Sequence, residues 1–318
     1  MADQDTSRSE GPTGSETATA VRVVRREARD LLGEGPIWSP RRNAIFWVDI
    51  LGQRVHRLSL DTGMTAQWSI PEPIGWIIER EAQEREAQER EAAAREGRGD
   101  FIIGLRSGFA FLSLDPFSIA LIGNPEPDLP GNRLNDAKTD LTGRIWAGSM
   151  DHGEREPSGS LYRLDPNLAW SRHDDGYIVA NGPAFSPDGA TLYHADSARR
   201  TVFAFEVNER RELASRRVFL RFEEEWGYPD GMATDIEGGL WIAHWGGSRV
   251  SRFLPDGRLD RSIALPASKI TSMVFAGPRL KRMFVTSASA GSEAEPHAGA
   301  LFEVDPGICG SRVPPFAG

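Results

Sequence analysis

One unit recurs along the chain, and this recurrence constrains the fold more than any other feature. Each copy offers a polar or small residue, an apolar strand, a turn, and a second strand rich in aromatic and β-branched residues. It runs Glu34-Gly-Pro-Ile-Trp-Ser-Pro40, turns at Arg41-Arg-Asn43, and continues Ala44-Ile-Phe-Trp-Val-Asp49. It returns as Asn135-Asp-Ala-Lys-Thr-Asp-Leu-Thr-Gly143 before Arg144-Ile-Trp-Ala-Gly148, and as Asn181-Gly-Pro-Ala-Phe-Ser-Pro-Asp-Gly189 before Thr191-Leu-Tyr-His-Ala-Asp196. Two later copies are Asp230-Gly-Met-Ala-Thr-Asp-Ile-Glu-Gly238 with Leu240-Trp-Ile-Ala-His244, and Thr271-Ser-Met-Val-Phe-Ala-Gly-Pro278 with Arg282-Met-Phe-Val-Thr286. Most copies close with further strands, such as Val55-His-Arg-Leu-Ser-Leu60 or Gly159-Ser-Leu-Tyr-Arg-Leu164.

The second copy is disguised. Its first strand, Ile74-Gly-Trp-Ile-Ile78, is separated from Phe101-Ile-Ile-Gly-Leu105 by an insertion over 79–99 that repeats Glu-Arg-Glu-Ala-Gln. These residues are good helix formers but offer no apolar stripe, so a solvated helical finger lengthening one hairpin is expected.

Units of roughly forty residues, each a small antiparallel sheet, describe an all-β, six-bladed β-propeller with four-stranded blades around a central tunnel. A β-sandwich would not keep this period, and an α/β fold would need helices between the strands. Residues near Val21–Ala28 can pair with the last unit and close the ring. The expected organisation is a tail over 1–20, the propeller over 21–307, and a C-terminal tail over 308–318. The 33 Gly, 21 Pro and 9 Trp fit short strands joined by tight turns. A formal net charge of −9 argues against a nucleic-acid surface. No apolar run matches a membrane span, and the first twenty residues lack a signal-peptide pattern. The single Cys309 permits no internal disulfide and suits a cytoplasmic protein.

Counting back seven residues from each hairpin turn reaches Glu34, Asn135, Asn181, Asp230 and Thr271. Equivalent positions in a propeller lie at equivalent radii, so these five oxygen-bearing side chains are expected to converge on one axis. Pro229-Asp230-Gly231 would by itself read as a turn, as Pro187-Asp188-Gly189 does. Their phases differ: Asp188 falls on a hairpin, whereas Asp230 falls where Glu34 does. Carboxylates and amide carbonyls around a funnel suit a hard cation, Ca²⁺, Mg²⁺ or Mn²⁺, or Zn²⁺ or Fe²⁺ with waters completing the shell. Arg133 and Asn135, two apart on an extended strand, share one face beside these oxygens. His194 and His244 lie on second strands, away from the axis, and are expected to fill blade interiors. Trp47, Trp146 and Trp241 recur at corresponding positions as core packing.

Leu32-Gly-Glu-Gly-Pro36, Asn132-Arg-Leu-Asn-Asp-Ala-Lys-Thr-Asp140, Ala180-Asn-Gly-Pro-Ala-Phe-Ser-Pro-Asp-Gly189 and Pro229-Asp-Gly-Met232 together closely resemble the SMP-30/gluconolactonase (regucalcin-like) family. The likeness spans about residues 23–306 apart from the insertion. Ser149-Met-Asp-His152 with Pro157-Ser-Gly-Ser-Leu-Tyr-Arg163 is most similar to the bacterial arabinono- and xylonolactonase branch. The resemblance implies a hydrolase opening a small-molecule sugar lactone, with one divalent cation held by Glu34, Asn181 and Asp230. Arg133 and Asn135 would contact substrate, and Asp230 would accept the proton of the attacking water. A monomer or small homo-oligomer is expected, with neither nucleic acid nor membrane as partner. Some family members carry a further substrate-contacting Glu; Gly153 falls there, with Asp151 and Glu154 nearby. The rival from another class is a non-catalytic calcium-binding or protein-binding propeller, which would not need Arg133 and Asn135 facing inward. A propeller esterase for organophosphates or aromatic esters would show a more apolar mouth.

Overall fold

In the computed structural model, which describes residues 20–81 and 99–318, alternating apolar runs become strands of six four-stranded antiparallel sheets. The short strand β1 (Val21–Val23) comes first and is used last. The first blade is β2 (Gly33–Ser39), β3 (Ala44–Asp49), β4 (Arg54–Ser59) and β5 (Thr65–Ser69). The second is β6 (Ile74–Glu79), β7 (Phe101–Leu105), β8 (Gly108–Leu114) and β9 (Phe117–Gly123). The third is β10 (Asn132–Thr139), β11 (Ile145–Asp151), β12 (Gly159–Leu164) and β13 (Trp170–Tyr177). The fourth is β14 (Ala180–Phe185), β15 (Thr191–Asp196), β16 (Thr201–Val207) and β17 (Leu213–Arg221). The fifth is β18 (Tyr228–Thr234), β19 (Leu240–Trp245), β20 (Arg249–Phe253) and β21 (Leu259–Ala264). The sixth takes β22 (Ile270–Ala276), β23 (Arg282–Ser287) and β24 (Phe302–Val304) and borrows β1 as its outer strand. Val21 pairs with Val304 and Val23 with Phe302, so the N-terminal segment closes the ring as expected. The charged insertion expected as a helical finger lies mainly outside the described residues.

The ring is held by the seams between blades, not by a central core. Six apolar clusters exist, one at each blade–blade seam. Phe46 of the first blade meets Phe101 of the second with ring centroids 5.0 Å apart. Trp47, Trp146 and Trp241 are fully buried in such seams, as expected. With both faces of every sheet committed sideways, the axis is left to the edges of the six innermost strands, β2, β6, β10, β14, β18 and β22, which neighbour one another in that order around the ring.

Each of these three tryptophans carries a polar partner that the repeat pattern did not reveal. The indole N–H groups of Trp47, Trp146 and Trp241 donate to Asp30, Asp140 and Asp235 at 2.9, 3.1 and 2.8 Å. Each carboxylate is also ion-paired, to Arg26, Arg144 and Arg252 at 2.6 Å in all three cases. A buried indole N–H and a buried carboxylate each need a partner, and this arrangement supplies both in the first, third and fifth blades.

The residues after the last blade strand, expected as a C-terminal tail, run across the hairpin-turn face. Backbone hydrogen bonds join Gly310 to Leu280, Ser311 to Thr234, Phe316 to Glu79 and Ala317 to Gly143, so one segment ties four blades together. Phe316 is fully buried at the seam of the second and third blades.

Candidate functional site

All six innermost strands break register at the same place. The irregularities fall between Glu34 and Ile37, Ile74 and Trp76, Leu134 and Ala137, Asn181 and Pro183, Pro229 and Met232, and Ile270 and Ser272. A bulge leaves an extra residue unpaired and turns consecutive side chains toward the same side. The phase counted from the hairpin turns is therefore a structural phase, because Glu34, Asn135, Asn181, Asp230 and Thr271 stand at these bulges. The residue after each is Gly35, Gly182 and Gly231 in three blades, but Asp136 in the third. Gly231 has no room for a Cβ against Ser272 of the sixth blade, and Gly75 of the second has none against the backbone of Leu134 and Asn135. Glycine at the bulge lets adjacent blades approach.

The residues that converge are Glu34, Arg133, Asn135, Asn181 and Asp230, all at most 7% exposed. The Arg133 Nη1 donates to Asn135 Oδ1 at 2.5 Å, and Asn135 Nδ2 donates to Asn181 Oδ1 at 2.9 Å and to the Ala180 carbonyl at 2.7 Å. Asn181 Nδ2 donates in turn to Ser197 Oγ at 2.9 Å, which donates to the Pro229 carbonyl next to Asp230. A hydrogen-bonded arc thus runs from the third blade to the fifth and fixes each amide's orientation. Thr271 does not join it. Its hydroxyl donates to the Gly33 carbonyl and meets Thr286 Oγ1 at 2.9 Å, which makes it a link between sixth and first blades.

Asp136 does join, and repeat counting passed over it although its glycine counterparts were legible. It is 2% exposed, with Oδ1 accepting from its neighbour Ala137 N–H at 2.7 Å and Oδ2 from Gly182 N–H at 3.0 Å. Three buried carboxylates therefore face one axis. Burial, then the Asp136 charge, pushes Glu34 up to about 8. Burial, then Glu34 and Asp136, pushes Asp230 well above the usual carboxylate range, and burial raises Asp136. Glu34 and Asp230 are close enough to share a proton, while Asp230 Oδ1 is buried without a hydrogen-bond partner. An orphaned carboxylate oxygen in an oxygen-only cluster carrying up to three negative charges fits a divalent cation of the hard class.

Arg133 is the cation of this set. Burial lowers it to about 10, against the charges of Glu154, Glu34 and Asp230, so it stays protonated at neutral pH. Its Nε is buried without an acceptor. The strongest carboxylate influence on it is Glu154, an exposed residue at the mouth, one position beyond Gly153. The two histidines sit as expected in blade interiors, 0% and 1% exposed for His194 and His244, and burial lowers them to about 3 and about 4.

A second buried group with metal-ligand spacing, Asp30, Asp49 and His56, lies under the N-terminal segment. Its oxygens are committed elsewhere. Asp30 accepts both Arg26 guanidinium nitrogens and the Trp47 indole, and Asp49 accepts the backbone N–H groups of Leu31, Leu32 and Gly52. A cation there would have to displace Arg26, so the axis is the better candidate.

Comparison with known proteins agrees with the fold and with the motifs at the axis. Residues 32–289 match the model of the SMP-30/Gluconolactonase/LRE-like region. The chain is 33% identical over 300 residues to regucalcin of Gallus gallus, covering 90% of this chain and 95% of the relative. It is 33% identical over 315 residues to L-arabinolactonase of Azospirillum brasilense, covering 96% and 97%. The crystal structure of a calcium-binding protein, regucalcin, from Agrobacterium tumefaciens superposes with a TM-score of 0.82 at 27% identity, covering 95% and 98%.

Proposed function

The chain belongs to the SMP-30/gluconolactonase/LRE-like family, and on that premise we propose that it hydrolyses a sugar lactone to the open aldonic acid. The observation that carries this reading is the meeting of Glu34, Asp136 and Asp230 at one axis beside the unpaired Nε of Arg133. Relatives named as lactonases, L-arabinolactonase among them, support the reaction class.

Glu34, Asn181 and Asp230 would hold one divalent cation. Ca²⁺, Mg²⁺ and Mn²⁺ suit these oxygens best, and Zn²⁺ or Fe²⁺ can be served if water completes the shell. When bound, such an ion supplies Lewis acidity toward a carbonyl oxygen and makes nearby water more acidic. The chain's own residues do the rest. Arg133, aimed by Asn135, binds the lactone through hydrogen bonds to its hydroxyl or carbonyl oxygens and fixes the ring for attack. Asn135 couples that grip to Asn181. Asp230 Oδ1, otherwise without a partner, accepts the proton of the attacking water as its oxygen bonds to the lactone carbonyl carbon. The ring C–O bond then breaks, the ring oxygen takes a proton, and the product carboxylic acid ionises. Glu154 stands where a charge at the mouth would select among sugars by their outer hydroxyls.

A pH-indicator assay across aldono-lactones, with EDTA and then with single metals restored, tests the proposal. Hydrolysis that EDTA stops and one metal restores is expected. Cation binding without hydrolysis of any lactone would favour the scaffold reading, for which the calcium-binding relative is the supporting observation.

A further inference from the structure

The innermost strands continue past the acidic cluster, and within one to five residues further along them the character of the axis changes. At about 3.3 Å per residue, Lys138, two residues beyond Asp136, is roughly 7 Å along the strand, in a second compartment that extends to the hairpin-turn end. There a cavity of about 490 Å³ is lined by residues of all six blades and closed on one side by Ser311–Pro315 of the C-terminal segment. Pockets that take drug-sized ligands span about 300–1,000 Å³. Its walls are mainly apolar, with Ile37, Trp38, Phe185, Met273, Phe275 and Pro314 among them.

The charged groups lining it are Arg41, Lys138, Arg80, Arg312 and Glu79, four cations against one carboxylate in a protein whose net charge is −9. Glu79 is already neutralised, accepting from Arg41 at 2.8 Å and from Arg42 at 3.1 Å. Lys138 is the informative one. It is 8% exposed, and no acceptor is within hydrogen-bond or ion-pair distance of its ammonium among the described residues. Asp136 feels the Lys138 charge without a direct contact, its oxygens accepting instead from the Ala137 and Gly182 N–H groups. An ammonium that opens only onto a mainly apolar cavity, with no acceptor in direct contact, is a place where an anionic head group gains a charge-assisted hydrogen bond.

We propose that this turn-side cavity is a binding site for a small amphipathic carboxylate, its head on Lys138 and its apolar body along the walls. The site lies beyond the acidic cluster along the same strands and does not depend on the lactonase reading.

Decanoate, kept below its micellar concentration, is the probe, and titration calorimetry on the full chain is the measurement. One saturable equivalent is expected, with decanol binding at least tenfold more weakly, the scale of losing one charge-assisted hydrogen bond. Lys138→Met, which keeps the apolar stem, should weaken decanoate by a similar factor while leaving decanol unchanged. Leu141→Trp, at a wall residue that is 41% exposed and so tolerant of size, should weaken both. EDTA treatment and Arg133→Ala should leave decanoate binding intact. No saturable binding, equal binding of decanol and decanoate, or binding lost with Arg133→Ala but unchanged in Lys138→Met would overturn the proposal.

Discussion

Two sets of buried carboxylates occupy this propeller, and their difference separates what holds the fold from what is left for function. Asp30, Asp140 and Asp235 sit in the seams, each with an arginine and a tryptophan indole N–H. Glu34, Asp136 and Asp230 sit at the axis with one another. Burial pushes Asp30, Asp140, Glu34, Asp136 and Asp230 toward the neutral form. In the seams the partners win: His56 and Arg26 hold Asp30 below the usual carboxylate range despite burial, and Thr142, Trp146 and Arg144 do the same for Asp140. At the axis the Gly35 N–H, Asp230 and Arg133 oppose burial and the Asp136 charge but do not outweigh them, so Glu34 reaches about 8. A seam carboxylate is thus complete as folded, whereas an axial one lacks a counter-charge that a ligand can supply.

The sharpest way to break this contrast is to remove one member of each set. Asp235→Ala leaves the buried Trp241 indole N–H and the Arg252 Nε without their acceptor, although Arg252 keeps Glu237 and Asp260, and should cost about 1–3 kcal/mol in urea unfolding, the scale for a buried donor left unsatisfied. Asp230→Ala relieves repulsion, so the EDTA-treated variant should unfold no earlier than wild type. Its lactone hydrolysis and metal binding should be lost together, by about 10²-fold or more in rate. The reverse pattern, a stable Asp235→Ala and an unfolded Asp230→Ala, would erase the distinction.

The pH dependence of stability comes next. A carboxyl whose pKa rises from 4.5 to about 8 on folding binds more protons in the native state between those values. Stability of the EDTA-treated protein is therefore full below about pH 4.5 as far as this group is concerned, and falls by a few kcal/mol as pH climbs toward 8. Glu34→Gln should flatten that slope in urea melts from pH 5 to 8, and an added divalent cation should remove it. Arg133→Ala should lower kcat/KM by about tenfold or more while calorimetry still detects the cation, because a binding hydrogen bond to a charged group is worth about 1.5–3 kcal/mol. The smallest effect belongs to a seam. Asp140 titrates below its unfolded value, so its contribution is present at neutral pH and lost as pH falls below about 4. Asp140→Asn should cost about 1 kcal/mol at pH 7 and progressively less as pH falls below about 4.

Much of this was legible in the sequence because a propeller writes its symmetry as a period. The hairpin turns set the phase, and the phase picks out Glu34, Asn135, Asn181 and Asp230 because each stands at the bulge that the innermost strands share. Thr271 obeyed the phase but spends its hydroxyl on Gly33 and Thr286, a choice fixed by the neighbouring blade. Asp136 was missed because the count ended one residue short of a position that three other blades give to glycine. The spacing from Asp140 to Trp146 recurs from Asp235 to Trp241 and was readable, whereas Asp30 reaches Trp47 only through the folded N-terminal segment. The C-terminal crossing of the turn face had no local signal, since its bonds are to residues far away in sequence.

The central claim is that the axial carboxylates hold a proton in place of a cation. Titration of Mn²⁺ or Ca²⁺ into EDTA-stripped protein at pH 7, in two buffers of different ionisation enthalpy, tests it most directly. One site should fill with release of about one proton, and both binding and release should vanish in Asp230→Ala. Binding that releases no proton, or that survives Asp230→Ala unchanged, would contradict the account.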